Sequence, residues 1–217
     1  MITNSTLEKI MPLLLREVKK MPLPIVTEIR MNNGTPYHIL ISTMLSLRTK
    51  DTTTRDASIR LFARADTPDK MLTLSKAEIE KLIFPVGFYH NKAVHIIETS
   101  RIILEKFGGK VPDTIDELLT LKGVGRKTAN LVVSEAYDKD GICVDTHVHR
   151  ISNRLGYVKT KTPYDTEMAL REKLPKKYWR SYNDTLVTYG QNLCRPVSPK
   201  CGICPVTQWC EYYKKLK

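Results

Sequence analysis

Two glycines separated by one residue lie between two predicted helices, in the segment LKGVGRK at 121–127. Glycines turn tightly and leave backbone N–H groups uncovered at the start of the next helix, where a phosphate can bind. This helix–hairpin–helix arrangement grips the DNA backbone without reading its sequence, although a plain glycine turn is the structural alternative. The residues predicted to make these contacts are Lys122, Gly123, Val124, Gly125 and Arg126.

Lys127 lies in the first turn of the helix that follows this hairpin. The positive end of the helix dipole and the neighbouring Arg126 both disfavour a further positive charge there. A neutral amine is what a Schiff-base nucleophile requires. Residue-level chemistry therefore leaves two roles open for Lys127, a covalent nucleophile or one more phosphate contact.

Asp145 begins another predicted helix, in the segment VDTHVHR at 144–150. Aspartate is a good N-cap, which is its structural role. It could also face the pocket of Lys127, where a carboxylate could take a proton or stabilise a cationic transition state. We expect His147 to line that pocket. His149 lies on a different face of the helix, so we expect it at the surface or on a phosphate.

Four of the five cysteines follow the spacing C-x6-C-x2-C-x5-C near the end of the sequence. Clustered cysteines in an intracellular chain indicate metal ligands rather than disulfides. Four thiolates suit either a structural zinc or a [4Fe–4S] cluster. The single C-x2-C pair with longer flanking loops moderately favours the bulkier cluster. The predicted ligands are Cys194, Cys201, Cys204 and Cys210, whereas Cys143 stands apart as an ordinary buried thiol.

The composition of the 217-residue chain favours a polyanionic partner. Lys and Arg number 35 against 23 Asp and Glu, a net charge of +12, and 41% of residues are hydrophobic. This mix excludes a disordered tail and a fibrous repeat, and strong basicity favours nucleic acid. We find no run of about 20 apolar residues and no leader cleavage site. We therefore expect a cytoplasmic or nuclear protein, nucleoid-associated in a prokaryote, that binds no membrane.

The apolar residues recur with helical spacing along nearly the whole chain, which predicts an all-α fold. Pro12 disturbs the first amphipathic helix and leaves its start uncertain. Capping boxes and Thr-Pro pairs predict helix starts at Ser5, Thr35, Thr67, Ser75, Thr114 and Thr162. The clearest helices are predicted at 37–47, 52–63, 76–84, 91–107 and 115–121, and further helices at about 125–137, 146–155, 164–174 and 179–193.

The hairpin LKGVGRKTAN, the segment VDTHVHR and the cysteine spacing together resemble the endonuclease III branch of the helix–hairpin–helix DNA glycosylases. The likeness extends from about Ile29 to Tyr212. It implies a six-helix barrel domain over 29–139 that contains the hairpin. It also implies a discontinuous second domain, 1–28 with 140–217, that ends in a [4Fe–4S] cluster held by the four cysteines.

The resemblance further implies a bifunctional DNA glycosylase and AP lyase of base excision repair that acts on oxidised pyrimidines. By the match, Lys127 attacks C1′ of the flipped nucleotide and forms an iminium, and β-elimination then cuts the strand 3′ of the abasic site. Asp145 matches the assisting carboxylate. The implied partner is damaged double-stranded DNA, whose altered base leaves the stack to be reached, and we expect a monomer.

Two further segments match loops that distort the duplex in this family. MLSLRTKD at 44–51 corresponds to the loop that fills the gap left by the flipped base, and VGFY at 86–89 to the loop that wedges into DNA. Phe88 is the candidate wedge, with a core aromatic as the alternative. Bacterial members typically carry glutamine at the position of Arg48. Arginine donates but cannot accept, so the preferred opposite base and the lesion range are open.

Two other functions compete with this interpretation. One is a monofunctional mismatch glycosylase, but the adenine-specific type lacks a lysine at Lys127 and needs a glutamate near Arg48, and the thymine-specific type places tyrosine at Lys127. The other is a non-catalytic DNA-binding protein. In it, Lys127 and Asp145 would only contact phosphate and cap a helix.

Overall fold

The structure, a computed structural model, describes residues 1–216, and this part of the chain is helical with no β-strand. The all-α prediction is confirmed. None of these helices is both long and apolar enough to cross a membrane. The described α-helices are α1 (Asn4–Val18), α2 (Ile25–Met31), α3 (Pro36–Ser46), α4 (Asp51–Arg64), α5 (Pro68–Leu72), α6 (Lys76–Ile83), α7 (Tyr89–Phe107), α8 (Ile115–Leu118), α9 (Arg126–Tyr137), α10 (Thr146–Leu155), α11 (Pro163–Lys173), α12 (Trp179–Asn192) and α13 (Glu211–Lys214).

The chain divides into two compact units. The first, Ile25–Lys139, is one uninterrupted stretch, which we call the continuous unit. The second combines Met1–Pro24 with the described residues from Asp140 onward, and we call it the split unit. The boundaries expected from the sequence lie at 28/29 and 139/140.

Helix α3 is the centre of the continuous unit. Every residue from Ile39 to Leu45 is buried, and α3 packs against α2, α4, α7 and α9. Its polar groups are satisfied inside the unit: the Thr43 hydroxyl donates to the Ile39 carbonyl at 2.6 Å, and the Ser42 and Ser58 hydroxyls lie 3.2 Å apart. The end of α3 is therefore a fixed base for the loop that carries Arg48.

The core of the split unit is built from α1, α10, α11 and α12. Helix α1 packs on α12, and α10 packs on α11, α12 and α13. Tyr157, Tyr182 and Tyr189 are among the largest fully buried side chains, and the Tyr182 hydroxyl lies 3.1 Å from that of Ser152. Burial of three tyrosines together with aliphatic side chains makes a core large enough to hold α10, which begins at Asp145.

Local capping signals place most helix starts correctly. Ser75, Thr35 and Thr162 each form a capping box, and Thr114 accepts a hydrogen bond from the backbone of the third helical residue. Thr67 occupies the N-cap position, but its side chain makes no capping bond. These starts depend on neighbouring residues alone, which is why sequence spacing finds them.

The first helix departs from its predicted start. It begins at Asn4 with Thr3 as N-cap, rather than at the capping box predicted for Ser5, and it continues through Pro12. The side chain of Asn4 donates to the Lys173 carbonyl at 3.0 Å. The Thr3 hydroxyl accepts from the Thr6 N–H at 3.3 Å, so the N-cap lies two residues before Ser5 and the prediction for Ser5 is wrong.

Candidate functional site

The two hairpin glycines have different surroundings. Gly123 has φ +75°, and a Cβ there would lie 2.6 Å from His95 Nδ1. Gly125 is the N-cap of α9 with φ −97° and no side-chain capping bond, and a Cβ there would meet no heavy atom within 4 Å. Gly123 therefore serves the turn itself, whereas Gly125 leaves open space over the first N–H groups of α9.

Two buried side chains and one hydrogen bond hold the hairpin in place. The side chains of Leu121 and Val124 are buried, and the Thr99 hydroxyl donates to the Lys122 carbonyl at 2.9 Å. Lys122 and Gly125 are exposed. Because Val124 points into the core, its predicted phosphate contact can come only from its backbone.

Lys127 is the second residue of α9 and is half-buried. The turn that carries it is fixed by Asn130, a fully buried residue whose amide donates to the Arg126 carbonyl at 3.0 Å. The helix begins directly after the uncapped hairpin, so the Lys127 amine extends from the end where the helix dipole is positive. This is the position that sequence analysis predicts for it.

Asp145 is the N-cap of α10, as its structural role predicts. Its Oδ1 accepts from the backbone N–H groups of His147 at 2.8 Å and Val148 at 2.9 Å. Among the described residues, Oδ2 accepts no hydrogen bond, and the side chain is only half-buried. The cap uses one oxygen and leaves the other available for chemistry, so the two predicted roles are compatible.

The two histidines of α10 are held by different neighbours. His147 Nδ1 lies 3.1 Å from Arg150 Nη2, and a Cβ on Gly190 of α12 would come within 2.4 Å of it. His149 Nδ1 lies 2.7 Å from the Thr166 hydroxyl. His149 is therefore half-buried against α11, in contrast to the surface position that we predicted.

Arg48 and Phe88 are exposed and close to each other. Arg48 Cζ lies 5.5 Å from the centre of the Phe88 ring. Phe88 is 59% exposed, which excludes the alternative that it is a core aromatic. Both residues have left-handed backbone, with φ +55° and +60°, an uncommon conformation that often marks functional positions.

The four cysteines of residues 194–210 are half-buried, and none forms a disulfide. The pKa of the Cys201 thiol is raised, first by burial and then by Cys204 and Cys194. The same two thiols contribute, after burial, to a raised pKa of Cys210. Each cysteine thus lies within electrostatic range of others.

Residues outside the cysteine segment bind its sulfurs. The Tyr189 hydroxyl lies 2.9 Å from Cys204 Sγ, and Arg154 Nη1 donates to Cys194 Sγ at 3.4 Å. At the present spacing, no three His, Cys, Asp or Glu side chains in residues 1–216 could hold a single metal ion. The fit to a cluster therefore rests on donor chemistry. Four sulfurs beside the donors of Arg154 and Tyr189 suit an iron–sulfur cluster, whose sulfurs accept hydrogen bonds.

Sequence reasoning missed three polar residues that support the Arg48 loop and the cysteine segment. Lys92 binds the loop that carries Arg48, and Arg150 and Arg154 bind carbonyls of the cysteine segment. Their partners are distant in sequence, so no motif marks them. The sequence signals that could have found them are the position of Lys92 on the apolar face of a predicted helix and the spacing of four residues between Arg150 and Arg154.

Comparisons with known proteins agree with this geometry. Residues 41–176 match the HhH-GPD superfamily base excision DNA repair protein family, and residues 194–210 match the iron–sulfur binding domain of endonuclease III. The chain is 47% identical to Endonuclease III of Thermotoga maritima over 83% of this chain and 84% of that protein. The match of residues 194–210 confirms the iron–sulfur cofactor, which the sequence analysis predicts to be a [4Fe–4S] cluster.

The fold also matches solved structures along the whole chain. A non-covalent endonuclease III–DNA complex gives a TM-score of 0.89 at 32% identity, covering 100% of this chain and 99% of that one. A trapped endonuclease III–DNA covalent intermediate gives 0.84 at 32% identity with the same coverage, 100% and 99%. The hairpin, the cysteine segment and these matches together show that the chain belongs to the endonuclease III family of the HhH-GPD superfamily, the DNA glycosylases of base excision repair.

Proposed function

We propose that this glycosylase is bifunctional, and that it excises oxidised pyrimidines and then cleaves the strand 3′ of the abasic site through a Schiff base on Lys127. The observation that carries the proposal is the position of Lys127, in the first turn of α9 directly after the uncapped hairpin. A relative of the same fold has been trapped as a covalent intermediate with DNA, which supports a covalent route.

The reaction divides between an amine and a carboxylate. The Lys127 amine attacks C1′ of the flipped nucleotide, and the bond from C1′ to the base breaks, with the electron pair leaving on the base, which takes up a proton. The lysine nitrogen then loses a proton, and the C1′–O4′ bond of the sugar breaks as O4′ takes up a proton, which gives an iminium between the lysine nitrogen and C1′. Loss of a C2′ proton then expels the 3′ phosphate as the C3′–O bond breaks. Asp145 acts through Oδ2, which can accept a proton while Oδ1 caps α10.

The remaining site residues bind and open the duplex in this proposal. The hairpin holds a phosphate beside the first turn of α9, whose N-cap Gly125 makes no side-chain capping bond. Phe88 enters the base stack as a wedge, and Arg48 fills the space left by the flipped base. Cys194, Cys201, Cys204 and Cys210 would hold the cluster, which would order the split unit, where α10 carries Asp145, and the chemistry of strand cleavage requires no electron transfer.

Borohydride trapping tests the proposal. The protein would be mixed with duplex DNA containing one thymine glycol and, separately, with an abasic-site duplex. We expect a covalent adduct with both DNAs that is absent in Lys127→Gln. As a matched control, Lys122→Gln should weaken DNA binding and still form the adduct, because it removes a phosphate contact and not the nucleophile.

The other outcomes discriminate between the competing functions. An adduct with abasic DNA alone would keep the lyase and remove oxidised pyrimidines as substrates. Base release without any adduct would indicate a monofunctional glycosylase. If Lys127→Gln loses affinity as Lys122→Gln does, and the salt dependence falls by about 0.9 per lost phosphate contact, Lys127 is only a phosphate ligand.

A further inference from the structure

Lys92 is a buried lysine whose partners are all uncharged. Its side chain is almost fully covered, and its ammonium donates to the Leu45 carbonyl at 2.7 Å, the Leu47 carbonyl at 2.6 Å and the Thr49 hydroxyl at 3.2 Å. An ammonium has three N–H donors, so all of them are used. Burial lowers the pKa of Lys92 to about 8, and no carboxylate counteracts this shift.

The acceptors belong to the end of α3 and the loop that follows it. Helix α3 ends at Ser46 with Leu47 as its C-cap, and helix ends leave carbonyl groups without partners inside the helix. A cation there is favourable because the helix dipole is negative at this end. Lys92, from α7, therefore fixes the loop of residues 47–50, which carries Arg48.

The same residue is joined to the loop of residues 84–88, which carries Phe88. The backbone N–H of Lys92 donates to the Phe88 carbonyl at 3.0 Å. Thr49, which accepts from the Lys92 ammonium, also accepts from the Gly87 N–H at 3.1 Å. A Cβ on Gly87 would lie 2.7 Å from the Arg48 carbonyl oxygen, so the backbones of the two loops are in close contact.

This arrangement explains how two exposed side chains keep a defined geometry. Arg48 and Phe88 both have positive φ, which residues other than glycine rarely adopt. Their side chains project outward, with the guanidinium over the ring. A loop that was free to relax would lose the positive φ values and the contact between the guanidinium and the ring. The hydrogen bonds of Lys92 hold both loops in place and so prevent this.

We propose that Lys92 is a positioning residue that joins the Arg48 loop to the Phe88 loop, so that both side chains enter the duplex as one preformed unit. The inference rests on the proposed function of these two residues and adds the group that couples them. It places Lys92 in the opening of paired DNA and outside the chemistry at Lys127.

Strand cleavage at an abasic site in two DNA contexts tests this inference. Single-stranded DNA has no base pair to open, whereas duplex DNA requires insertion of Arg48 and Phe88. Lys92→Met should lower the single-turnover rate on duplex by about tenfold or more, the size expected for misplaced binding groups, and change the single-strand rate by less than about twofold. Lys92→Arg keeps the charge and donors and should recover part of the duplex rate.

Two further variants keep the test independent of folding. Lys106→Met removes an exposed charge from the same helix and should change neither rate. Thr49→Val removes the hydroxyl that Lys92 and Gly87 share and should reproduce the duplex-selective loss, even if Lys92→Met does not fold. The fluorescence of 2-aminopurine opposite the abasic site should show reduced base displacement in Thr49→Val.

The outcomes separate this inference from the proposed function. If Lys92→Met and Thr49→Val lower the cleavage rate equally on single-stranded and duplex DNA, or lower it on neither, the positioning role of Lys92 is overturned. Absence of cleavage on both DNAs by the unaltered protein would instead overturn the lyase proposal.

Discussion

Replacing each hairpin glycine by alanine should separate a requirement of the fold from a requirement of the ligand. Gly123→Ala places a Cβ on a residue with φ +75°, 2.6 Å from His95 Nδ1. Gly125→Ala places a Cβ in open space on a residue with ordinary φ. The first variant should unfold more easily, whereas the second should fold normally and bind DNA weakly.

The magnitudes follow from these surroundings. A left-handed backbone costs an L-residue roughly 1–2 kcal/mol, and displacing the His95 ring adds about 1 kcal/mol or more, as for overpacking, so Gly123→Ala should lose about 2–4 kcal/mol of stability. At Gly125, alanine is a poorer N-cap but reduces the entropy of the unfolded chain. These effects oppose each other and are each about 1 kcal/mol or less. A methyl group over the phosphate position should weaken binding about tenfold, or 1.4 kcal/mol.

Two measurements check this pair of variants. Urea denaturation gives the free energy of unfolding, and fluorescence anisotropy with a duplex containing an abasic-site analogue gives affinity at a temperature where all proteins are folded. The reasoning would be refuted if Gly125→Ala bound DNA like the unaltered protein. It would equally fail if Gly123→Ala were as stable as Gly125→Ala.

Three further predictions concern the split unit and the buried lysine. Gly190→Ala should destabilise the protein by about 1–3 kcal/mol in thermal unfolding, because its Cβ would lie 2.4 Å from His147 Nδ1. Cys204→Ser removes a predicted cluster ligand and the partner of Tyr189, so bound iron and its visible absorption should be lost and the segment should unfold. Burial lowers the pKa of Lys92 from 10.5 to about 8. Between these values the unfolded chain holds more protons than the native one, so the contribution of Lys92 to the free energy of unfolding rises with pH. Urea denaturation at both ends of the window should show this rise, and Lys92→Met should lack it.

The first two of these predictions have matched control variants, and the third has an outcome that would contradict it. Gly125→Ala, where a Cβ would meet no heavy atom within 4 Å, should change the free energy of unfolding by about 1 kcal/mol or less. Cys143→Ser should retain bound iron because Cys143 lies outside the cysteine segment. An equal difference in stability between Lys92→Met and the unaltered protein at both pH values would contradict the linkage argument.

Local chemistry accounts for what the sequence predicts correctly. The hairpin, the first turn of α9 and the N-cap at Asp145 each depend on residues within a few positions of one another. Spacing, glycine content and capping preference are sufficient to find such features. The family resemblance adds the roles of Lys127 and of the four cysteines, which residue chemistry alone leaves open.

Features that depend on distant packing could not be predicted. Lys92 donates to a carbonyl 47 positions earlier in the chain, and the close contact that a Cβ at Gly123 would make is with His95 on another helix. In each case the deciding neighbour is brought close by tertiary packing, about which sequence spacing carries no information.

The split unit has a consequence for how the protein is made. Its first helix, α1, buries Leu7, Ile10, Met11 and Leu14, and it packs on α12. A ribosome adds about 5–20 residues each second, so α1 leaves the ribosome roughly ten to thirty seconds before its partner exists. The continuous unit can fold during this time, while the apolar face of α1 stays uncovered. The apolar face of α1 is therefore exposed to other chains until α12 has been made.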